Sequence, residues 1–65
     1  MLENDPPPGT KVRFVREIKK AKAFDTATLV KAMQKYTVDR PEDEFIVEFQ
    51  GEQYTVRRSD IEKAQ

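Results

Sequence analysis

The 65-residue sequence contains no cysteine, no histidine and no tryptophan. Without cysteine, disulfide bonds and thiolate metal sites are excluded. The absence of histidine removes the commonest general base and the commonest transition-metal ligand. The only serine, Ser59, therefore has no histidine to activate it as a nucleophile. This composition predicts a protein that is not an enzyme and that holds no cofactor and no metal.

Glycine and long apolar runs are also scarce. The two glycines, Gly9 and Gly51, are too few for a glycine-rich phosphate-binding loop. No apolar run approaches the roughly 18 residues that a transmembrane helix needs, and the N-terminus lacks the apolar segment of a signal peptide. We therefore expect a cytoplasmic protein without a transmembrane segment, folded as a single small domain with a core near the lower size limit.

The net charge is zero, but the charges are unevenly distributed along the chain. Residues 11–35 carry eight basic side chains against two acids, and residues 39–65 carry eight acids against four bases. Such asymmetry indicates either a basic surface that faces a partner or two halves of a fold that attract each other. The second interpretation is the more common one in folded domains.

The N-terminal part predicts a leader followed by a strand. Residues 1–8 include three consecutive prolines, which favour an extended chain and donate no backbone hydrogen bonds, so we expect a disordered leader and a domain over 9–65. After a turn at Gly9, residues 11–16 alternate as in a β-strand, with Val12 and Phe14 pointing inward. The alternation slips after Phe14, which predicts a bulge or the end of the strand.

The next segment has the pattern of a helix over about 25–36. Asp25 is a good N-cap, and Phe24 and Leu29 have the spacing of a hydrophobic staple. Apolar residues recur at helical spacing in Leu29, Val30, Met33 and Tyr36. β-branched residues weaken this prediction, so a strand across 32–38 remains an alternative.

Residues 44–57 predict a β-hairpin, because alternating apolar residues lie on both sides of a break that contains Gly51. With Gly51-Glu52 as the loop, Phe49 lies opposite Tyr54, which pairs the two aromatic rings, and Gly51 fits the first position of a type II′ turn. The alternative loop, Gln50-Gly51, places Phe49 opposite Glu52. We prefer the first register.

The chain ends in a pattern that predicts one closing turn. Ser59 followed by Glu62 has the spacing of a capping box, so we expect a helical or 3₁₀ turn with Ile61 packed inward. The acidic residues around Pro41 (Asp39, Glu42, Asp43 and Glu44) do not match a calcium-binding loop and predict a solvated loop. The expected core consists of Val12, Phe14, Ile18, Phe24, Leu29, Met33, Tyr36, Phe45, Val47, Phe49, Tyr54, Val56 and Ile61.

Two segments carry a resemblance to a known family. The segment 9–16, GTKVRFVR, resembles the opening strand of small SH3-like barrel proteins, and the segment 54–62, YTVRRSDIE, resembles their closing strand and final turn. SH3-like proteins of this type include soluble subunits of cyanobacterial and plastid electron-transport complexes. The resemblance implies a non-catalytic docking subunit, located in the cytoplasm or peripherally on the cytosolic or stromal side of a membrane.

These observations predict a small α+β or mostly-β fold. We expect an SH3-like curled sheet of three or more strands, with the hairpin at about 44–57 and one inserted helix at about 25–36. Three strands need a cover on one face or closure into a barrel to be stable. A curled barrel with a helical insertion and a helix packed on a three-stranded sheet both satisfy that need.

The sequence supports two functional hypotheses. The first is a protein-interaction module or accessory subunit that docks on a larger protein complex. Its binding residues are a basic strip, which orients the partner, and the outward-facing Ile46, which supplies apolar contact. The second is a small nucleic-acid-binding or regulatory protein that uses the same strip, although no exposed aromatic residue is predicted beside it. The basic strip consists of Lys11, Arg13, Arg16, Lys19, Lys20 and Lys22.

Overall fold

A computed structural model of the chain describes residues 2, 6–33 and 44–64. Five strands follow one another in these residues: β1 (Lys11–Phe14), β2 (Thr26–Met33), β3 (Glu44–Phe49), β4 (Glu52–Arg57) and β5 (Ile61–Lys63). A short 3₁₀ turn, Arg58–Asp60, joins β4 to β5. The described part of the chain contains no α-helix, so the domain is mostly β.

The strands form one antiparallel sheet in the order β4-β3-β2-β1-β5. This sheet is open, with β4 and β5 as its two edges, so the expected sheet of three or more strands is confirmed and its curling into a barrel is wrong. Its inner face is instead covered by chain segments from outside the strands. Leu2 and Ala21 are buried in the core, and Ile18 packs against it. Covering one face in this way removes the need to close the sheet into a barrel.

The predicted helix at about 25–36 is wrong, because residues 26–33 form β2. Thr26 and Thr28 alternate with the buried Ala27 and Leu29, and this two-residue period, with β-branched residues on the outer side, is what a half-buried strand requires. The strand then pairs on both sides, with β1 and with β3. The alternative strand at 32–38 falls mostly on residues outside the described part.

A β-bulge explains why the sequence of β2 looks helical. The pairing with β3 shifts between Leu29 and Lys31, so Val30 is the extra residue. The bulge changes which face the following side chains occupy and breaks the two-residue alternation. Leu29, Val30 and Met33 therefore have a spacing that resembles one face of a helix, although all three belong to a strand.

The hairpin is confirmed at residues 44–57, but its preferred register is wrong. Phe49 lies opposite Glu52 and Val47 lies opposite Tyr54, so the loop is Gln50-Gly51. Both loop residues have positive φ, 51° and 79°, which is the requirement of a type I′ turn. The two aromatic rings still meet diagonally, with centroids 6.0 Å apart. Turn geometry therefore fixes the register without losing the aromatic contact.

The core centres on an aromatic cluster of Phe14, Phe49 and Tyr54. The ring of Phe14, which is fully buried, lies 5.7 Å from that of Phe49 and 5.9 Å from that of Tyr54. Most of the predicted core is buried, but Phe24 is exposed, Met33 is only partly buried, and Tyr36 lies outside the described residues. The buried hydrophobic residues that were not predicted are Leu2, Ala21 and Ala27.

The N-terminal segment contributes one of these missed residues. Leu2 donates its backbone N–H to the carbonyl of Arg58 at 3.1 Å and accepts a bond from the guanidinium of the same residue. The predicted leader at 1–8 falls partly on residues 1 and 3–5, which lie outside the described part. Leu2 therefore attaches this end of the chain to the 3₁₀ turn.

The closing 3₁₀ turn and the burial of Ile61 are confirmed. The expected capping box of Ser59 and Glu62 is wrong, because Glu62 binds Arg13 instead. The turn is held by Asp60, whose carboxylate accepts the backbone N–H of Arg57 at 3.0 Å. After the turn, β5 pairs with β1, and this pairing brings the two ends of the domain together.

Candidate docking surface

The basic strip surrounds the first strand and the loop that connects β1 to β2. Arg13 Nε donates to Glu62 Oε1 at 2.7 Å, and Arg16 Nε donates to Asp60 Oδ1 at 2.9 Å. Lys20 Nζ lies 3.6 Å from Glu52 Oε1. All three pairs join the basic part of the chain to the acidic part. The charge asymmetry therefore serves in part to attach two halves of the fold to each other.

The other three cations of the strip have different surroundings. Lys11 Nζ donates to Thr28 Oγ1 at 2.8 Å, and Lys19 Nζ lies 5.4 Å from the centre of the Tyr54 ring. Lys22 is exposed. Exposed ion pairs contribute little free energy, and their cations remain accessible to a partner. The strip is consequently a mixed surface in which half of the cations already have a carboxylate neighbour.

The loop between β1 and β2 is an ordered structure. Ile18 and Ala21 exchange two backbone hydrogen bonds of 2.9 Å around a tight turn. At the base of the loop, the N–H of Phe14 donates to Asp25 O at 3.0 Å, and the N–H of Phe24 donates to Phe14 O at 2.7 Å. These bonds extend the pairing of β1 and β2 and fix the position of Phe24.

Phe24 is the only large hydrophobic residue that is exposed in the described part of the chain, with 67% of its surface accessible. It occupies the third position of a turn in which Asp25 N–H donates to Lys22 O at 3.0 Å. Its φ of 72° matches the left-handed third residue of a type II turn, a position that normally holds glycine. A bulky residue with positive φ is an outlier that local structure must enforce.

The same turn has a side-chain support. Asp25 accepts the backbone N–H of Lys22 through Oδ2 at 2.9 Å. Asp25 therefore does not cap a helix, as the sequence suggested, but closes the turn that carries Phe24. The observed turn and the predicted helix start use the same property of aspartate, which accepts a bond from a nearby backbone amide.

Arg13 lies against the exposed aromatic ring. Its guanidinium carbon is 5.6 Å from the centre of the Phe24 ring, within the range of a cation–π interaction. The bond from Arg13 Nε to Glu62 Oε1 fixes the orientation of the same guanidinium. We call these three residues, Phe24, Arg13 and Glu62, the Phe24 platform. It presents an aromatic ring, a cation and an anion from three separate segments of the chain.

Ile46, the apolar residue of the predicted site, is not part of this platform. It lies on β3, opposite Thr55 on one side and Lys31 on the other, and it is partly buried. Strand β2 separates it from the strand of Arg13. The structure thus divides the basic strip between two parts of the sheet. Arg13 and Arg16 contact acids of β5 and its 3₁₀ turn, Lys19 and Lys20 lie beside β4, and Ile46 lies on β3.

The exposure of Phe24 was not predicted, because phenylalanine itself gives no sign of a positive φ. Glycine or asparagine at this position would have indicated the turn. The signal that was present is the three-residue spacing of Lys22 and Asp25, in which the carboxylate can close a turn. The spacing of Lys22 and Asp25 predicts a turn, whereas the staple of Phe24 and Leu29 predicts the start of a helix. Only the tertiary pairing of β1 with β2 decides between the turn and the helix.

Residues 2, 6–33 and 44–64 contain no group of three or more acidic side chains that could hold a metal ion. No helix in the same residues has the length and apolar character needed to cross a membrane. Comparison with known proteins finds no family model, no curated protein and no solved structure that matches this chain.

Proposed function

We propose that this protein is a non-catalytic interaction module, an accessory subunit that docks on a larger protein complex. The observation that carries the proposal is Phe24, which is exposed by 67% on backbone of positive φ. The fold gains little burial from this ring and accepts an unfavourable backbone conformation to present it. Strained residues of this kind are concentrated at binding sites.

The chemistry of the Phe24 platform suits a protein partner. Aromatic residues and arginine supply most of the free energy at protein interfaces, because they fill pockets and exclude water. Phe24 supplies the apolar contact, a role that the sequence assigned to Ile46. The ion pair of Arg13 with Glu62, at 2.7 Å, holds both charges in fixed positions beside the ring, and fixed charges orient a partner on approach.

The rest of the basic strip has a secondary role in this proposal. Because Arg16 and Lys20 already have carboxylate neighbours, the strip guides encounter more than it supplies affinity. We place the protein in the cytoplasm, either free or peripheral on the cytosolic or stromal side of a membrane.

We also propose an SH3-like relationship for the open sheet. The two segments that carry the sequence resemblance form β1 and the strands at the end of the domain, and β1 pairs with β5 directly. The 3₁₀ turn between β4 and β5 agrees with the closing turn that the resemblance implies. Such proteins include docking subunits, which agrees with the proposed function.

A nucleic-acid-binding function is the second candidate, and one observation favours it. The exposed Phe24 ring lies two residues from the exposed Lys22. Nucleotide bases stack on exposed aromatic rings, and cations nearby contact phosphates, with about 1–3 kcal/mol for each stacked base. The zero net charge and the ion pairs within the strip favour the protein partner over this alternative.

Affinity capture from native lysate with three forms of the protein separates the two functions. Phe24→Gly removes the ring and suits the turn, whereas Lys31→Ala removes an exposed cation of β2 outside the strip and serves as the matched control. If the protein docks on a complex, the wild type and Lys31→Ala should both capture a set of proteins at fixed stoichiometry. Phe24→Gly should lose this set, and nuclease treatment should not change it. Equal capture by Phe24→Gly would contradict the role of the ring.

A direct binding assay tests the second candidate. Fluorescence anisotropy with a labelled oligothymidine measures affinity at 50 mM and 200 mM salt, since contacts to phosphates produce a steep salt dependence. The docking proposal predicts no saturable binding at either salt concentration. Saturable binding that is lost in Phe24→Gly would establish the nucleic-acid function instead.

A further inference from the structure

We propose that the free edge of β4 pairs with β4 of a second copy of this chain, antiparallel, about a two-fold axis at Tyr54. This inference uses a different part of the molecule from the Phe24 platform and does not depend on the proposed function. Its basis is the direction of the backbone hydrogen-bonding groups along β4.

The type I′ turn fixes which groups of β4 face outward. In a two-residue turn, the flanking residues, Phe49 and Glu52, form a hydrogen-bonded pair. Because hydrogen-bonded and non-hydrogen-bonded pairs alternate along an antiparallel ladder, Tyr54 and Val56 also bond to β3. The backbone groups of Gln53 and Thr55 therefore point away from the sheet. No residue of the described chain is bonded to them.

Within the described residues, this edge has little of the usual protection against pairing. Its only charged side chain before Arg57 is Glu52, which lies at the start of the strand, 3.6 Å from Lys20. Over 52–56 it contains no proline, no lysine and no bulge relative to β3. Natural edge strands are normally blocked by at least one of these features. An unblocked edge is a template for another strand, and β-strand addition is a common mode of association.

The register follows from the end of β4. The N–H of Arg57 is already bonded to Asp60 Oδ2 at 3.0 Å, so among the outward-facing residues of β4 only Gln53 and Thr55 have both backbone groups unbonded within the described chain. The arrangement that uses only these groups places Gln53 opposite Thr55 of the second copy, which gives four hydrogen bonds with Tyr54 on the axis. A two-fold axis at Thr55 would instead require the N–H of Arg57, which is not available.

The side chains are compatible with a second copy in this register. Gln53 and Thr55 are both exposed and uncharged, so their pairing across the axis brings no like charges together. Glu52 lies opposite Val56 of the second copy. The zero net charge of the chain means that two copies have no overall repulsion. Because the contact is small, we expect a weak dimer that forms at high protein concentration.

Cysteine cross-linking tests the register, and the absence of natural cysteine makes the test specific. A mixture of Gln53→Cys and Thr55→Cys is equilibrated with reduced and oxidised glutathione. Two thiols pass two electrons to oxidised glutathione and form one disulfide. Opposite residues in a hydrogen-bonded pair have Cα atoms about 5.5 Å apart, within disulfide range. A mixture of Ser59→Cys and Thr55→Cys is the matched control, because Ser59 is exposed but lies outside the strand.

The proposal predicts a heterodisulfide yield in the first mixture at least about tenfold above that in the control mixture, which corresponds to about 1.4 kcal/mol of preference. Equal yields in the two mixtures would overturn the register. Preferential linkage within Thr55→Cys alone would move the axis to Thr55 and overturn it as well.

Sedimentation equilibrium tests the association without cysteine. Gln53→Lys combined with Thr55→Lys places lysines opposite each other, and Gln53→Glu combined with Thr55→Glu places glutamates opposite each other. Both changes are on exposed positions, so the fold is retained, which the backbone amide spectrum checks. Each variant alone should stay monomeric, whereas their mixture should dimerise more strongly than the wild type. A wild type that stays monomeric at millimolar concentration, or a mixture that does not associate, would overturn the proposal.

Discussion

The backbone at Phe24 predicts that glycine at position 24 makes the protein more stable than alanine does, which is the reverse of the usual order of stability. At ordinary positions alanine is more stable than glycine by about 0.5–1 kcal/mol, because glycine loses more entropy on folding. At left-handed φ, a residue with a Cβ is disfavoured by about 1–2 kcal/mol. Phe24 has a φ of 72°, so Phe24→Gly should be more stable than Phe24→Ala by about 0.75 kcal/mol, the difference between the central values of these two effects.

Comparing the two variants isolates the backbone, because both lose the same side-chain contacts. Each removes the cation–π interaction with Arg13, which contributes about 0.5–1 kcal/mol at an exposed site. Ala23→Gly is the control, since Ala23 belongs to the same turn and is not among the residues with positive φ. Here glycine should be less stable than alanine, as is usual, and Ala23→Gly should destabilise the protein by about 0.5–1 kcal/mol.

Urea unfolding followed by circular dichroism measures these differences. A difference of 1 kcal/mol moves the melting temperature of a small domain by roughly 4–8 °C, and it moves the urea midpoint with no change in slope. If Phe24→Ala is as stable as Phe24→Gly, the backbone at Phe24 is not left-handed. The argument that strain marks this residue for binding then fails.

Three further predictions concern stability. Phe14→Ala should lower the free energy of unfolding by about 3–5 kcal/mol, because it removes a fully buried ring. This is about a third or more of the roughly 3–10 kcal/mol that a chain of this size has in total, and a loss below about 1.5 kcal/mol in urea unfolding would contradict the central position of the ring. Gln50→Asn should raise the free energy of unfolding by roughly a few tenths of a kcal/mol, and the urea midpoint with it, because asparagine suits the first position of a type I′ turn better; an unchanged or lower midpoint would contradict that turn. Asp60→Ala should destabilise the domain by about 2–3 kcal/mol, because the backbone N–H of Arg57 and the guanidinium of Arg16 both lose their acceptor. A thermal melt of Asp60→Ala within 2–3 °C of the wild type would contradict the role of this carboxylate.

The sequence predicted the hairpin and most of the buried core because those signals are local. The alternation of residues 45–49 and 54–56 identifies two strands regardless of what they pack against. Their register depends on turn geometry, and the choice between Gly51 as the first or second loop residue could not be made from pairing preferences. Once Gln50 takes positive φ, the type I′ turn is determined and so is the register.

The helix prediction failed where two periodicities compete in one segment. Thr26 to Leu29 alternate with a period of two, but the bulge at Val30 shifts the later residues into helical spacing. A bulge is fixed by the pairing of β2 with β3, which is a tertiary property. The same limit applies to β5, a strand of three residues that is stable only because β1 lies beside it.

The candidate site was predicted in its charges but not in its geometry. The six cations of the strip were identifiable from composition along the chain. The three acidic partners, Glu52, Asp60 and Glu62, come from strands and turns that are distant in sequence. Phe24 was assigned to the core because it has the spacing of a hydrophobic staple with Leu29, and no glycine or asparagine marks the left-handed turn that exposes it.

The most direct test of the docking function is photo-crosslinking at position 24 in cells. Phe24 is replaced by p-benzoylphenylalanine, and the same replacement at Lys31, an exposed residue of β2, is the control. Illumination should join the protein through position 24 to one discrete protein partner, and the control should give no such product. The account is contradicted if position 24 gives no product above the control, or if its products are digested by nuclease.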